Sequence, residues 1–334
     1  MSPEESSARP VAREEREPWP DPEPLVARPP QWRGAFASLG IGLGSAVVGL
    51  LPWALTGMRL PLQNLWVAEI EPERMPIAWL PLSQYTVTIV LGLLVVGGAI
   101  AGLVARALAD RLPARAPLSI AAGLLLVQVV AVAQSTQVLE YGLRAGEESA
   151  FFLAACLIVA IVGVAGSALV FALIARAPRA GAVIGIVLGA LAAGWWLGGL
   201  LPPFGVLPNE VGNGALVEVV RWVPAVLVGV AIAWGGVRTT ARVIAAVVSI
   251  LMLWVVPAVA TGVTSALGSR ALLRDLPELV DYGWGVFRMA LLMPELAAPP
   301  IVAALAVAAV GIVTRTLLAR RALRETQPDD ASRG

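Results

Sequence analysis

The sequence predicts an all-α integral membrane protein, a helical bundle of about eight transmembrane helices with both termini cytoplasmic. Three observations predict it. Apolar residues make up 58% of the 334-residue chain and charged residues only 14%, against about 45–50% and about 25% in an ordinary soluble domain. The apolar residues fall in runs of roughly 17–26, the length a helix needs to cross a hydrocarbon core. The arginines between the runs alternate in density from one side to the other, as they do where cytoplasmic loops are basic.

Residues 1–34 come first. They are rich in Pro, Glu and Arg and carry no apolar period, so they read as a disordered tail rather than a cleavable leader. Trp32 and Arg33 then stand where an interfacial anchor is expected. Eight spans follow within a polytopic domain, 35–318: Ala35–Thr56, Tyr85–Ala105, Leu118–Gln134, Ala150–Ala175, Ala182–Leu201, Leu216–Val237, Val243–Val263 and Pro299–Leu318. A short basic tail, 319–334, closes the chain.

With the N-tail on side one, that side holds 17 of the 24 arginines and carries +6, while the opposite side carries −5. Side one is therefore expected to be cytoplasmic. All the basic residues are arginine, as in GC-rich bacterial genomes, so the expected location is a bacterial cytoplasmic (inner) membrane. The longest loops, 57–84 and 264–298, lie on the outer side. Each is apolar enough for short surface helices, at "LWVAEI" and "LVDYGWGVFRMALLM". Trp53, Trp66, Trp79, Trp195, Trp196, Trp222 and Trp284 fall near that face and read as an aromatic belt.

Several chemistries are excluded by composition. The chain has no histidine and one cysteine, Cys156, so no internal disulfide forms. The usual metal, haem and iron–sulfur ligand sets are missing, as are Ser-His and Cys-His nucleophile pairs. No cofactor, metal or nucleic acid is expected. The middle of every span is free of Asp, Glu and Arg, which argues against a proton relay or voltage sensor.

The remaining candidates are structural before they are chemical. Gly181, Gly185 and Gly189 share a helix face, as do Gly40 with Gly44 and Gly98 with Gly102. Such faces are expected to be packing seams, since glycines four apart let another backbone approach. Gln128 is the strongest mid-span polar group and is expected to hydrogen-bond between helices. Glu218 and Arg221, three apart, read as an ion pair at a membrane rim. Pro257 should kink its span. Pro299 and Pro300 mark a helix start. Arg315, Arg320, Arg321 and Arg324 form a basic cluster suited to anionic lipid head groups.

Glu69, Glu71 and Glu73 in the first outer loop are the only weak catalytic candidates. Acids in this loop resemble those of the lipid-linked-sugar glycosyltransferases, and the resemblance implies a catalytic acid there. It covers this loop alone, and Pro72 interrupts any helix that would hold the three together. Three functions stand as expectations. The favoured one is a permease-like facilitator or accessory transport subunit. The second is an envelope scaffold without catalysis, which brings in a membrane-protein partner. The third is an outer-face lipid-linked-sugar enzyme. The lipid bilayer is the partner common to all three.

Overall fold

The computed structural model describes residues 31–202, 214–269 and 275–325. Among these, the chain forms nine α-helices, and eight of them are long and apolar enough to cross a membrane. They are α1 Gln31–Leu55, α2 Val87–Ala107, α3 Ala116–Gly142, α4 Glu147–Arg176, α5 Arg179–Leu200, α6 Gly214–Gly235, α7 Thr240–Gly268 and α9 Pro294–Glu325. The ninth, α8 Leu276–Leu291, is a 16-residue amphipathic helix. The architecture is that of an all-α membrane bundle. Most of the 1–34 tail and the last nine residues lie outside the described residues. α1 begins at Gln31 and α9 ends at Glu325, so residues 31–34 and 319–325 are helical.

Direction alternates along the chain. Gly49 meets Leu93 and Gly97 meets Ser45, which sets α2 antiparallel to α1. Gly98 meets Ser167 and Gly102 meets Ile174, which sets α4 parallel to α2. One end of the bundle thus carries the 57–84 segment and is called the loop end here. The other carries the start of α1 and the end of α9.

α2 is the centre of the N-terminal half and packs on α1, α3, α4 and α5. In its most apolar window 61% of residues are buried inside the protein, against 11% for α9. In lipid there is no hydrophobic drive between helices, so close packing and internal hydrogen bonds must hold them. Glycine supplies the closeness. A Cβ added at Gly42 would strike the Ile120 carbonyl of α3, and one at Gly123 would strike the Leu39 carbonyl of α1. A Cβ at Gly49 would lie 2.5 Å from the Leu93 carbonyl of α2. α5 bridges to the C-terminal half, packing on α6 and α7, and α6 packs on α9.

The sequence expectations for the connections need correction. The "LWVAEI" stretch forms no α-helix. Residues 57–84 instead make an extended arm with one short 3₁₀ turn at Pro72–Arg74. The arm is folded back on itself at an antiparallel Arg59–Ile77 bridge. Four prolines, Pro61, Pro72, Pro76 and Pro81, explain why it is not helical. The arm is anchored, not laid on the surface: Leu60, Met75, Leu80 and Leu82 are among the most deeply buried side chains of the chain.

The second surface helix does form, as α8, but it does not lie across the end of the bundle. Gly283 sits beside Gly262 and Ala266, and Leu291 beside Trp254, so α8 runs antiparallel along the upper part of α7. Pro299 and Pro300 are not a helix start either. α9 begins at Pro294 and carries both inside. Pro257 lies within α7, where the Thr261 hydroxyl donates to its carbonyl at 2.9 Å.

Candidate functional site

The site is assembled at the loop end from segments far apart in sequence. α3 continues two turns past its expected end at Gln134, to Gly142, and the polar residues of that extension hold the arm. Gln134 Nε2 donates to the Ile77 carbonyl, and the Trp79 N–H donates back to Gln134 Oε1, both at 2.9 Å. The Leu80 N–H donates to Ser135 Oγ at 2.8 Å. Two side chains of a helix thus satisfy backbone groups that would otherwise be orphaned in an extended segment. Trp53 Nε1 donates to the Ala78 carbonyl at 2.8 Å, and Arg59 to the Met75 carbonyl at 2.9 Å. Thr86 Oγ1 donates to the Pro81 carbonyl where the arm meets α2.

Held in this way, the arm roofs a cavity of about 680 Å³ beside the first turns of α4. Near the loop end polar and apolar residues alternate in the lining: Gln63 and Asn64 of the arm between Leu62 and Leu65, Ser83, Gln84 and Tyr85 after Leu82, and Glu147 and Glu148 of the first turn of α4. Along α2 and α4 away from the loop end the lining is apolar, with Val90, Phe152, Ala155, Cys156 and Val159, while Val87 and Leu267 stand at the loop ends of α2 and α7. The two acids at the start of α4 also suit its positive end. The volume falls within the range of small-molecule sites, and an apolar chamber with a few polar groups at one end is their usual chemistry.

A second, more open recess of about 610 Å³ lies between α3 and α4. Its lining is apolar apart from Thr136 and Gln137.

The sequence-derived residues fall in different places. Gln128 is buried at 1% exposure, and its Nε2 donates to the Leu94 carbonyl and to Ser167 Oγ, each at 2.9 Å. It therefore joins α3 to α2 and α4, while its Oε1 has no partner. A Cβ at Gly98 would strike the Ser167 carbonyl, and one at Gly102 would lie 2.8 Å from Ile174 Cβ. On α5, a Cβ added at Gly185 would lie 2.8 Å from Leu173 and Ile174 of α4, and one at Gly189 would lie 2.7 Å from Ala99 of α2. A Cβ added at Gly181 would lie 2.7 Å from Ala177, just before α5.

Gly40 and Gly44 require correction. Both are exposed, and a Cβ added at either would meet nothing within 4 Å; the close approach of α1 is made by Gly42 and Gly49. Glu218 and Arg221 do pair, at 3.2 Å, with side chains 52% and 63% exposed, and Trp222 Nε1 also donates to Glu218. They line neither cavity. Glu69, Glu71 and Glu73 are exposed on the arm, and none lines the cavity.

Arg315 is engaged elsewhere than the lipid reading expects. Its guanidinium donates to the Ala233 and Trp234 carbonyls at 2.6 and 2.7 Å and so satisfies the end of α6. Arg106 does the same for the end of α4, donating to the Ile174 and Ala177 carbonyls. Arg320 and Arg321 are exposed, and the side chain of Arg324 lies outside the described residues. Three tryptophans tie elements together: Trp53 joins α1 to the arm, Trp196 joins α5 to α1 and Trp254 joins α7 to the end of α8. Trp196 Nε1 of α5 donates to the Gly49 carbonyl of α1 at 2.8 Å.

Among the described residues no group of three or more His, Cys, Asp or Glu is placed to hold a metal ion. The chain matches no family model, no curated protein and no solved structure. The cavity itself was not legible beforehand. Its lining comes from four segments between residues 62 and 267, and only the polar run Gln134–Gln137 at the end of an apolar span hinted that α3 does more than cross.

Proposed function

We propose that this chain is a permease-like facilitator or accessory transport subunit of a bacterial cytoplasmic membrane that takes an amphiphilic molecule into the loop-end cavity. The observation that carries the reading is a lining whose polar residues all lie at the loop end, among apolar ones, and which is apolar alone from Val90 to Cys156 and Val159, in a volume near 680 Å³. With both termini cytoplasmic, as the arginine distribution favours, the mouth opens at the outer face. The apolar part then lies at the depth of the outer-leaflet acyl chains. The dense contacts of α1–α5 below the cavity favour uptake or presentation of a ligand over passage straight through the bundle.

The test is native mass spectrometry of the protein extracted from its own membrane. An amphiphile should be retained by the wild type and lost from Ala155→Trp, which fills the apolar part. Equal retention by both would overturn the reading.

The scaffold reading has one observation in its favour. α7 and α9 bury only 22% and 11% of their most apolar windows, and α8 exposes Val280, Trp284 and Met289 beside them. A stoichiometric protein partner, captured in mild detergent and lost on Val280→Asp with Trp284→Asp, would establish it. For the lipid-linked-sugar enzyme the exposed placement of Glu69, Glu71 and Glu73 gives no support.

A further inference from the structure

We propose that residues 61–74 form a flap over the cavity, and that Trp66, seated against Gly142, is the latch that keeps it shut. The proposal rests on the amphiphile reading above and adds the route of entry. The arm is held unequally along its length. Its returning part is rooted: Met75, Ala78, Leu80 and Leu82 are each at most 1% exposed. Its outgoing part is not: Leu62, Asn64, Val67, Ala68 and Glu69 are exposed. The two ends of the flap are clamped together, since the Leu60 N–H donates to the Pro76 carbonyl and Arg59 to the Met75 carbonyl, each at 2.9 Å. A surface loop with joined ends can swing as a unit while its root stays fixed.

The free edge of the flap is fastened to the turn between α3 and α4. The Val67 N–H donates to the Gly142 carbonyl and the Arg144 N–H to the Leu65 carbonyl, each at 2.9 Å. Trp66, between them, lays its indole on Gly142, where an added Cβ would overlap the far edge of the ring. Gln63 Nε2 adds one bond to the Leu82 carbonyl at 3.0 Å, and Trp66 and Ile70 are the flap's apolar footing on the core. Leu62, Gln63, Asn64 and Leu65, on the same edge, line the cavity. The latch therefore adjoins the residues that close the cavity. A few bonds at an exposed edge open at a lower free energy than a buried root, so the edge lifts while 75–82 stays in place. Beneath it Cys156 lines the cavity at 7% exposure.

Cys156 is the one cysteine of the chain, so its alkylation by iodoacetamide reports entry to the cavity without an engineered label. The full chain in phosphatidylcholine nanodiscs is compared with Gly142→Ala, Trp66→Ala and Trp66→Phe. Gly142 lies in α3, where alanine suits the helix, so Gly142→Ala displaces the indole and leaves the bundle folded. Alkylation should be about fivefold faster or more in Gly142→Ala and Trp66→Ala, with Trp66→Phe between these and the wild type. In the wild type itself, hydrogen exchange at 65–67 should outpace exchange at 78–80.

Equal alkylation in all these proteins, or exchange at 65–67 as slow as at 78–80, overturns the flap and leaves the amphiphile reading to be judged by Ala155→Trp. A last comparison returns the native lipid extract to nanodiscs holding Gly142→Ala. Alkylation that slows again supports an amphiphile lying over Cys156. Alkylation equally fast with and without the extract overturns the amphiphile reading while the flap stands.

Discussion

The two halves of the bundle are built from the same apolar alphabet and packed by different means. In α1–α5, backbone meets backbone. Gly42 lies against the Ile120 carbonyl, Gly49 against the Leu93 carbonyl and Gly98 against Ser167. A polar triad of Gln128, the Leu94 carbonyl and Ser167 ties three helices at mid-depth. In α6–α9 the contacts are fewer. A Cβ added at Gly229 would lie 2.6 Å from the Ala304 carbonyl and one at Gly262 2.8 Å from the Gly283 carbonyl, and most of α7 and α9 faces outward. The difference teaches that hydrophobicity puts all eight helices in the membrane, whereas small residues and a few hydrogen bonds decide which of them form a core. The cavity stands where the halves meet, with a floor from α2 and α4 and a wall at Leu267 of α7.

The sharpest way to break this comparison is to fill a seam. Gly42→Val drives a branched side chain into the α3 backbone and should destabilise the N-terminal half by about 3 kcal/mol or more. Gly40→Val, two residues away, points into open space and should stay within about 0.5 kcal/mol of wild type. Thermal or SDS-induced unfolding of both variants in the same detergent checks the pair, and equal losses would refute the assigned seam.

A smaller effect is expected at the arm. Gln134→Ala removes the partners of the Ile77 carbonyl and the Trp79 N–H and should weaken the arm by about 1–3 kcal/mol. Hydrogen exchange at 77–80 should quicken while that of α2 stays unchanged.

At the other end of the bundle, Arg315→Gln should cost about 1 kcal/mol through the freed carbonyls of α6. Its signature is faster exchange confined to α6 and α9. Smallest of all, Glu218→Gln should alter stability by no more than about 1 kcal/mol, because both partners of this pair are largely exposed. A larger loss would mean that α6 relies on its rim charges.

What was legible in the sequence divides along the same physical line. Crossing a membrane requires a long apolar run and nothing more specific, so the eight spans and the amphipathic α8 stand out in the sequence itself. Which face of a span meets a neighbour is decided by the neighbour. Gly40 and Gly44 have the same spacing as Gly185 and Gly189, yet only the α5 glycines face another helix. Proline misled in both directions. Pro299 and Pro300 resemble a start but lie inside α9, since four residues of good helical pattern precede them from Glu295.

The arm was hidden for another reason. Its order comes from Gln134 and Ser135, more than fifty residues away, and no local pattern reports such a bond. The acids at 69, 71 and 73 drew attention by proximity in sequence, whereas Glu147 and Glu148, which line the cavity, look like an ordinary helix start.

The central claim is that an amphiphile occupies the loop-end cavity, and it is met most directly by a crystal structure of the full chain grown from a lipidic mesophase doped with its native lipid extract. The account predicts one elongated density with its head beside Ser83 and Gln84 and its tail reaching Cys156 and Val159. A cavity closed by Phe152 and Leu267, or filled only by ordered water down to Cys156, would contradict it.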